Sequence, residues 1–455
     1  MSESIPSPFF KIFLVCLVPI VLLALLSIKV NAEISAPNIE WEKSYGGTKL
    51  DSLTAIQQTS DGGYIMAGWS LSKDGEVTGN HGESDYWLIK SDSIGNIQWK
   101  RTYGGKKWDY ASSIQETSAG FFIVAGTSES NDGDVSENHG SDDFWIILLD
   151  IQGNLIWQKT FGGSQRDISP LIRETAEGGF IIVGETSSTD GDVTGNHGGS
   201  DYWLIKIDQL GNMQWEKCLG GSQDEVPRSI QITPGNGYII AGSSLSNDGD
   251  VRGNHGKSDF WIVLVDDLGN IQWQKSLGGS ETDKAYSIQN TSDGGFISAG
   301  VTQSNDGDVT NNPEKQDCWI VKLDSQGNIT WEKIYGGSDL DQANSIQETS
   351  EGGFIIAGAT KSNDGDVTGN HGDLDYWLLK IDAQGNLMWQ KNFGGSGKDQ
   401  ANSIQETSDG GFMLAGSSRS NDGDVTRNHG KFDFWIIKIE SAENKREPTN
   451  NPEEN

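Results

Sequence analysis

The sequence has little cysteine and little positive charge. Three cysteines occur in 455 residues, at Cys16, Cys218 and Cys318, so a disulfide framework does not hold the fold together. Lysine and arginine number 33 against 65 aspartates and glutamates, and the formal net charge is −32. A surface of that charge repels phosphate backbones, and we therefore expect no nucleic-acid partner.

An apolar run long enough to approach membrane-spanning length occurs only near the N-terminus. Lys11 precedes apolar residues 12–28, and small residues follow up to Ala32. This pattern predicts a signal peptide over residues 1–32, cleaved after Ala32, and a protein that is secreted or held at the cell surface. The alternative is an uncleaved anchor, which is the only membrane contact we expect. Residues 441–455 are polar and predict a disordered tail.

Glycine and tryptophan are abundant instead, at 59 and 16 residues. Two tryptophan series each repeat every 58 residues: Trp41, Trp99, Trp157, Trp215, Trp273, Trp331 and Trp389, and Trp87, Trp145, Trp203, Trp261, Trp319, Trp377 and Trp435. An Asp-Gly pair that begins at Asp74 keeps the same period. A fixed period of this length indicates an array of one supersecondary unit, present in seven copies over residues 36–440.

Each unit predicts four strands. A short strand with small residues comes first, and two strands with nearly continuous apolar residues follow. The fourth strand alternates, as in Ile271 and Trp273, which is typical of a half-exposed outer strand. The array begins with a lone fourth strand near Trp41 and ends with a third strand near Trp435. If the two ends pair, no sheet edge stays bare. We therefore predict an all-β, seven-bladed β-propeller whose N-terminal strand completes the last blade.

Several recurring segments resemble the repeats of secreted bacterial and archaeal cell-surface proteins. They are Gly-Gly-Phe-Ile-Ile-Ala-Gly, Ser-Asn-Asp-Gly-Asp-Val, Asp-Tyr-Trp and Gly-Asn followed two residues later by Trp. Those proteins are interpreted as β-propellers of the quinoprotein-like or kelch-like type, and some are labelled endoglucanase-like or lectin-like. The resemblance covers residues 36–440 and implies an extracellular propeller, but it supplies no catalytic motif.

The Asp-Gly-Asp-Val loop places two carboxylates two residues apart. Oxygen ligands of this kind suit calcium, the one cofactor that the sequence suggests. The candidate ligands are Asp132, Asp134, Asp190, Asp192, Asp248, Asp250, Asp306, Asp308, Asp364, Asp366, Asp422 and Asp424. The alternative is a turn in which these carboxylates accept hydrogen bonds from backbone amides.

Two further sets of titratable residues repeat with the blades. One acid precedes each first strand and either circles the mouth of the channel or caps backbone amides between blades: Asp51, Asp109, Asp167, Glu225, Asp283, Asp341 and Asp399. Six histidines share one loop position, which in the fifth unit is Pro313: His81, His139, His197, His255, His371 and His429. Equivalent residues of separate blades diverge around a ring, so we expect a structural loop role rather than a zinc site.

Trp69 and Trp108 are the two tryptophans outside the repeat series. Both map to neighbouring blades on the face that carries the long loops, where we expect any binding site to lie. Exposed indole rings bind sugar rings or partner proteins, whereas ordinary packing of two extra aromatic residues is the alternative.

These patterns favour an extracellular binding or scaffolding propeller without catalysis of its own, whose ligand is a glycan or a cell-surface protein. A carbohydrate-active enzyme of the endoglucanase-like type is the first alternative. It requires an asymmetric pair of carboxylates in one cleft, whereas the acids here repeat with the blades. A purely structural surface protein is the second alternative.

Overall fold

The computed structural model describes Met1, residues 36–312 and residues 316–441. Pro313, all of the predicted signal peptide except Met1 and all of the predicted tail except Ser441 therefore lie outside the described residues. The described part contains seven antiparallel sheets of four strands each. The predicted seven-bladed β-propeller is confirmed. Among the described residues, no helix is long and apolar enough to cross a membrane.

The strands of each blade are given from the innermost strand to the outermost one. Blade 1 has β2 (Asp51–Gln58), β3 (Tyr64–Ser70), β4 (Asp85–Ser91) and β5 (Ile97–Tyr103). Blade 2 has β6 (Asp109–Glu116), β7 (Phe122–Ser128), β8 (Asp143–Leu149) and β9 (Leu155–Phe161). Blade 3 has β10 (Asp167–Glu174), β11 (Phe180–Thr186), β12 (Asp201–Ile207) and β13 (Met213–Leu219). Blade 4 has β14 (Glu225–Ile232), β15 (Tyr238–Ser244), β16 (Asp259–Val265) and β17 (Ile271–Leu277).

The remaining three blades follow the same order. Blade 5 has β18 (Asp283–Asn290), β19 (Phe296–Thr302), β20 (Asp317–Leu323) and β21 (Ile329–Tyr335). Blade 6 has β22 (Asp341–Glu348), β23 (Phe354–Thr360), β24 (Asp375–Ile381) and β25 (Leu387–Phe393). Blade 7 has β26 (Asp399–Glu406), β27 (Phe412–Ser418), β28 (Asp433–Ile439) and β1 (Ile39–Tyr45).

The ring is closed by the two ends of the repeat array. Strand β1 pairs antiparallel with β28, and Ser44 lies opposite Trp435 in the ladder. This pairing covers the edge of β28, which would otherwise expose unpaired backbone groups. The hydroxyl of Tyr45 also donates to the carbonyl of Gly95 in blade 1. Gly95 has a φ of 79°, which a tight hairpin turn requires and which glycine adopts without steric cost.

The hydrophobic core lies between the blades. Each core cluster joins side chains of two neighbouring blades. The third strand of each blade contributes one fully buried tryptophan to such a cluster. Trp145 of blade 2, for example, packs on Tyr86 of blade 1 with ring centroids 4.7 Å apart. The tryptophans of the outer strands are half-buried, and Trp99 donates its indole N–H to Ile151 O at 2.9 Å. The repeated tryptophans thus hold neighbouring blades together.

The ring has two unlike faces. The long-loop face carries the loops between second and third strands, such as residues 71–84, and the connections between blades, such as residues 104–108. The tight-turn face carries the turns between first and second strands, such as residues 59–63, and those between third and fourth strands, such as residues 92–96.

Candidate functional site

The carboxylates of the Asp-Gly-Asp-Val loops accept hydrogen bonds from the backbone of the adjoining connection between blades. In blade 2, Asp132 Oδ1 accepts from the amide of Lys106 at 2.9 Å, and Asp134 Oδ2 accepts from the amide of Gly104 at 3.2 Å. Lys106 also lies 2.8 Å from Asp132 Oδ2. The hydrogen bonds from Lys106 lower the pKa of Asp132.

The same two bonds recur in every blade. The first carboxylate of each loop accepts a backbone amide at 2.7–2.9 Å, and the second accepts a glycine amide at 3.1–3.3 Å. All twelve candidate calcium ligands therefore cap backbone amides. Within the described residues, no group of three or more His, Cys, Asp or Glu side chains is arranged to hold a metal ion. Calcium binding stays a prediction.

The repeated acid, which the sequence predicts just before each first strand, is the first residue of that strand and lies buried between blades. Asp109 accepts the amide of Gly105 at 2.8 Å, the hydroxyl of Ser130 at 2.9 Å and the hydroxyl of Ser128. Burial raises the pKa of Asp109 to about 6. The equivalent acids of the other six blades are also fully buried. They cap amides at blade junctions, which was the alternative to a ring of carboxylates at the mouth of the channel.

The six histidines make one repeated contact. His139 Nδ1 lies 2.7 Å from Asp143 Oδ2, and the backbone amide of His139 donates to the same oxygen. Partial burial opposes the charged imidazolium, but the hydrogen bond to Asp143 and its charge outweigh burial and raise the pKa of His139. The other five histidines bind the aspartate four residues further on in the same way. The contact fixes the end of these six long loops, which is the structural role expected from the sequence.

Trp69 and Trp108 meet on the long-loop face of blades 1 and 2, and Tyr110 lies between them. Trp69 contacts the Tyr110 ring edge-on, with centroids 5.3 Å apart and planes at 88°. Trp108 stacks on the same ring at 5.7 Å with planes at 14°. All three side chains are half-buried, so each presents part of its ring to solvent. We call Trp69, Trp108 and Tyr110 the aromatic cluster.

Sequence reasoning identified the two tryptophans and missed Tyr110. Its position follows the capping acid of each blade, and the other blades have no aromatic residue there: Ser52, Ile168, Val226, Lys284, Gln342 and Gln400. That departure from the repeat was the available signal. The departure at Tyr110 indicates a site only together with the contact that the fold creates between Tyr110 and Trp69 of the preceding blade.

Acidic residues surround the aromatic cluster. Burial, followed by the charges of Glu129, Asp142 and Glu83, raises the pKa of Tyr110 to about 12. Burial and the charge of Asp142 also raise the pKa of Glu129. Asp142 itself is paired with Arg166 at 3.1 Å. The cluster therefore combines flat apolar rings with carboxylates that accept hydrogen bonds, and both features suit a ligand with hydroxyl groups on an apolar ring face.

Comparison with known proteins yields distant resemblances. No protein-family model matches the chain. The regulatory protein FlaEY of Caulobacter vibrioides is 25% identical over 306 residues, and the alignment covers 61% of this chain and 31% of that relative. The chain thus spans about a third of the length of this curated relative.

Several solved structures are similar to the chain at low identity. The WD40 β-propeller domain of Doa1 has 11% identity and a TM-score of 0.49, with 88% of this chain and 95% of that one covered. The polysaccharide lyase Uly1 has 9% identity and a TM-score of 0.48, with 85% and 89% covered. The WD40 domain of Neurospora crassa Pan2 has 9% identity and a TM-score of 0.46, with 85% and 88% covered.

Proposed function

We propose that the protein is an exported binding propeller without catalysis of its own, and that its aromatic cluster recognises a glycan of the cell surface. The observation that supports this proposal is the convergence of Trp69, Trp108 and Tyr110. Each departs from its repeat position, and together they form one partly exposed surface. A fold built from repeats does not require such departures, whereas a single binding site does.

The chemistry of the cluster supports a sugar as the ligand. Pyranose rings have an apolar face of C–H groups that stacks on indole and phenol rings, and their hydroxyl groups donate to carboxylates such as those of Glu129 and Asp142. A cell-surface protein is the alternative ligand, since aromatic anchors also dominate protein interfaces. This proposal puts either ligand outside the cell, and it is supported there by the predicted signal peptide over residues 1–32 and by the resemblance of the repeats to those of cell-surface proteins.

The test is a glycan and peptidoglycan array probed with purified residues 33–455 and with the double variant Trp69→Ala, Trp108→Ala. We expect the double variant to stay folded, because both side chains are half-buried, and to bind the identified glycan at least about tenfold more weakly. Trp99→Ala is the control for loss of a half-buried tryptophan outside the cluster: it should lower stability, because Trp99 packs against blade 2, but it should leave glycan binding unchanged. A double variant that binds as tightly as the parent contradicts the proposal.

A carbohydrate-active enzyme is the second candidate, and one observation favours it. Burial and the charge of Asp142 raise the pKa of Glu129, and a carboxyl with a raised pKa beside a second carboxyl group serves glycoside hydrolysis. Incubating the array-positive oligosaccharide with the protein distinguishes the two candidates. Release of shorter sugars that is lost in Glu129→Gln indicates an enzyme, whereas binding without hydrolysis supports the binding propeller.

A further inference from the structure

An apolar cleft opens on the tight-turn face between blades 2 and 3. The aromatic cluster lies on the other face of the ring, the long-loop face. Its volume is about 300 Å³. Its walls come from Phe121, Leu148 and Ile156 of blade 2 and from Phe180 and Leu210 of blade 3. We call these five residues and the space between them the apolar cleft.

The equivalent place in blade 1 is polar. There the ammonium of Lys90 lies 2.9 Å from Asp61 and 3.1 Å from Gln98 Oε1, beside Gly63 in the turn. A buried lysine needs such partners, because an unpaired ammonium away from water is costly.

Blade 2 replaces this polar group at all four positions. Leu148 replaces Lys90, and Ala119 replaces Asp61. Ile156 replaces Gln98, and Phe121 replaces Gly63 of the turn. These residues are up to 37 positions apart in the chain (119 to 156) but adjacent in the fold. The replacements are mutually consistent, since removing the lysine removes the need for its two partners.

The apolar side chains of the cleft do not simply fill the space of the lost polar group, because several of them are exposed to solvent. Phe121 is 39% exposed, Ile156 is 48% exposed and Leu210 is 69% exposed. Blade 1 forms the same four strands with Gly63 at the position of Phe121 and Gln98 at the position of Ile156. Exposed apolar side chains that line one concavity are typical of an interaction site.

The apolar character continues around part of the ring. The turn between third and fourth strands carries an exposed aliphatic residue in blades 1–4: Ile94, Ile151, Leu210 and Leu268. The same turn has Ser325 and Gln326 in blade 5, and Ala383 and Gln384 in blade 6. The apolar cleft therefore lies within an apolar arc on one side of the tight-turn face.

We propose that the apolar cleft binds an aliphatic or aromatic anchor residue of a basic polypeptide. The protein's net charge of −32 attracts a cationic partner and opposes docking of a second copy of this chain. At the cleft itself, Glu174 lines the wall, and Glu177 and Asp208 lie beside Leu210. Two cations lie close to these acids: Lys206 is 3.6 Å from Glu177, and the charge of Lys159 acts on Asp208. The three acids therefore outnumber the two cations, and the surroundings of the cleft stay negatively charged.

The test uses three blocked hexapeptides and fluorescence anisotropy at low salt. The first has leucine and phenylalanine at its centre and two lysines on each side. The second has glutamates in place of the lysines, and the third has two serines in place of the apolar pair. We expect the first to bind at least about tenfold more tightly than either of the others, and to weaken as salt screens the charges.

Two variants restore the repeat residues: Ile156→Gln and Phe121→Gly. Both replace half-exposed side chains with those that blade 1 carries, so we expect an unchanged melting temperature and about tenfold weaker binding of the first peptide. Met388→Gln is the matched control, because Met388 has the same repeat position in blade 6 and is 40% exposed beside the intact lysine and turn glycine. It should leave binding unchanged.

Three outcomes overturn the proposal: no binding of the first peptide at millimolar concentration, equal binding of the acidic peptide, or equal binding by the Ile156→Gln and Phe121→Gly variants. The double variant Trp69→Ala, Trp108→Ala separates this site from the aromatic cluster. It should bind the first peptide as the parent does, so that either proposal can fail without the other.

Discussion

Blades 1 and 2 differ from blades 6 and 7 in how far they depart from the repeat. The first strands of blades 6 and 7, β22 and β26, have the same sequence. The second blade instead has Tyr110 in its first strand, Phe121 in the next turn and Ile156 in its outer strand. All four blades keep the same four strands and the same buried tryptophans. The fold therefore needs only what the blades share.

Both candidate sites lie where the blades depart from one another. The aromatic cluster occupies the long-loop face of blades 1 and 2, and the apolar cleft occupies the tight-turn face of blades 2 and 3. Shared residues should accordingly govern stability on both sides of the ring. Residues that are particular to blades 1–3 should govern binding and contribute little to stability.

Removing β1 should have the largest effect, because it breaks a feature that the whole ring shares. Deletion of residues 33–46 exposes the edge of β28 and removes the packing of Trp41 and Tyr45. We expect a loss of at least about 5 kcal/mol in the free energy of unfolding, measured by urea denaturation. Adding the missing segment back as a peptide should restore stability in proportion to its concentration. An unchanged melting temperature contradicts the closed ring.

The buried capping acids should be equally important in unlike blades. Asp109 in blade 2 and Asp399 in blade 7 each accept one glycine amide and two hydroxyl groups, and Asp399 also accepts the amides of Arg419 and Ser420 at 3.2 and 3.4 Å. Replacement by alanine leaves these buried donors unpaired, and we expect each variant to lose about 2–4 kcal/mol. Trp69→Ala should cost less than either. If Asp109→Ala and Asp399→Ala differ by more than about 1.5 kcal/mol, the blades are not equivalent in their shared contacts.

The fold was predictable from the sequence because its signals repeat. Each tryptophan fixes the register of its strand, and the lone fourth strand near Trp41 indicates how the ring closes. The aromatic cluster was predictable only in part, since Trp69 and Trp108 are visible as departures but Tyr110 needs the neighbouring blade to gain a role. The apolar cleft was not predictable, because Ala119, Leu148 and Ile156 become neighbours only through strand pairing and blade packing.

The pH dependence of stability should come from groups in several blades, and its effect should be smaller than that of the preceding substitutions. Burial raises the pKa of Asp109 to about 6 and raises the pKa of Asp167 and Asp341 as well. A carboxyl that holds its proton more tightly in the folded state stabilises less as pH rises from about 4 to about 6. The raised pKa of His139 and His197 acts in the same direction at higher pH, because the charged imidazolium that contacts its aspartate is lost.

Exposed carboxylates act in the opposite direction below this range. Partial burial opposes ionisation of Asp293, but Lys322 and nearby hydrogen bonds hold its pKa at about 2, so its contribution is lost as pH falls below about 4. We therefore expect maximal stability near pH 4 and a melting temperature about 5 °C lower at pH 8. The difference should persist in 0.5 M salt, because buried groups are weakly screened. Its disappearance in salt would point to surface repulsion instead.

Calcium should have the smallest effect on stability, and that effect should differ between blade 2 and blade 7. We propose that calcium binds the Asp-Gly-Asp-Val loops through the oxygens left over after amide capping. In blade 2, Lys106 occupies Asp132 Oδ2. In blade 7, Ser396 has the repeat position of Lys106, and its backbone amide and hydroxyl both donate to Asp422. We therefore expect millimolar calcium to raise the melting temperature by about 1–2 °C beyond sodium chloride of equal ionic strength, mainly through loops without a lysine.

The matched variants are Asp422→Asn with Asp424→Asn in blade 7, and Asp132→Asn with Asp134→Asn in blade 2. Asparagine keeps an oxygen that accepts the backbone amide but loses the charge that a hard cation requires. The blade 7 variant should lose more of the calcium response than the blade 2 variant, and Lys106→Ser should increase the response of the parent. If sodium chloride of equal ionic strength gives the whole stabilisation, screening of the net negative charge explains it, and the loops act only as amide caps.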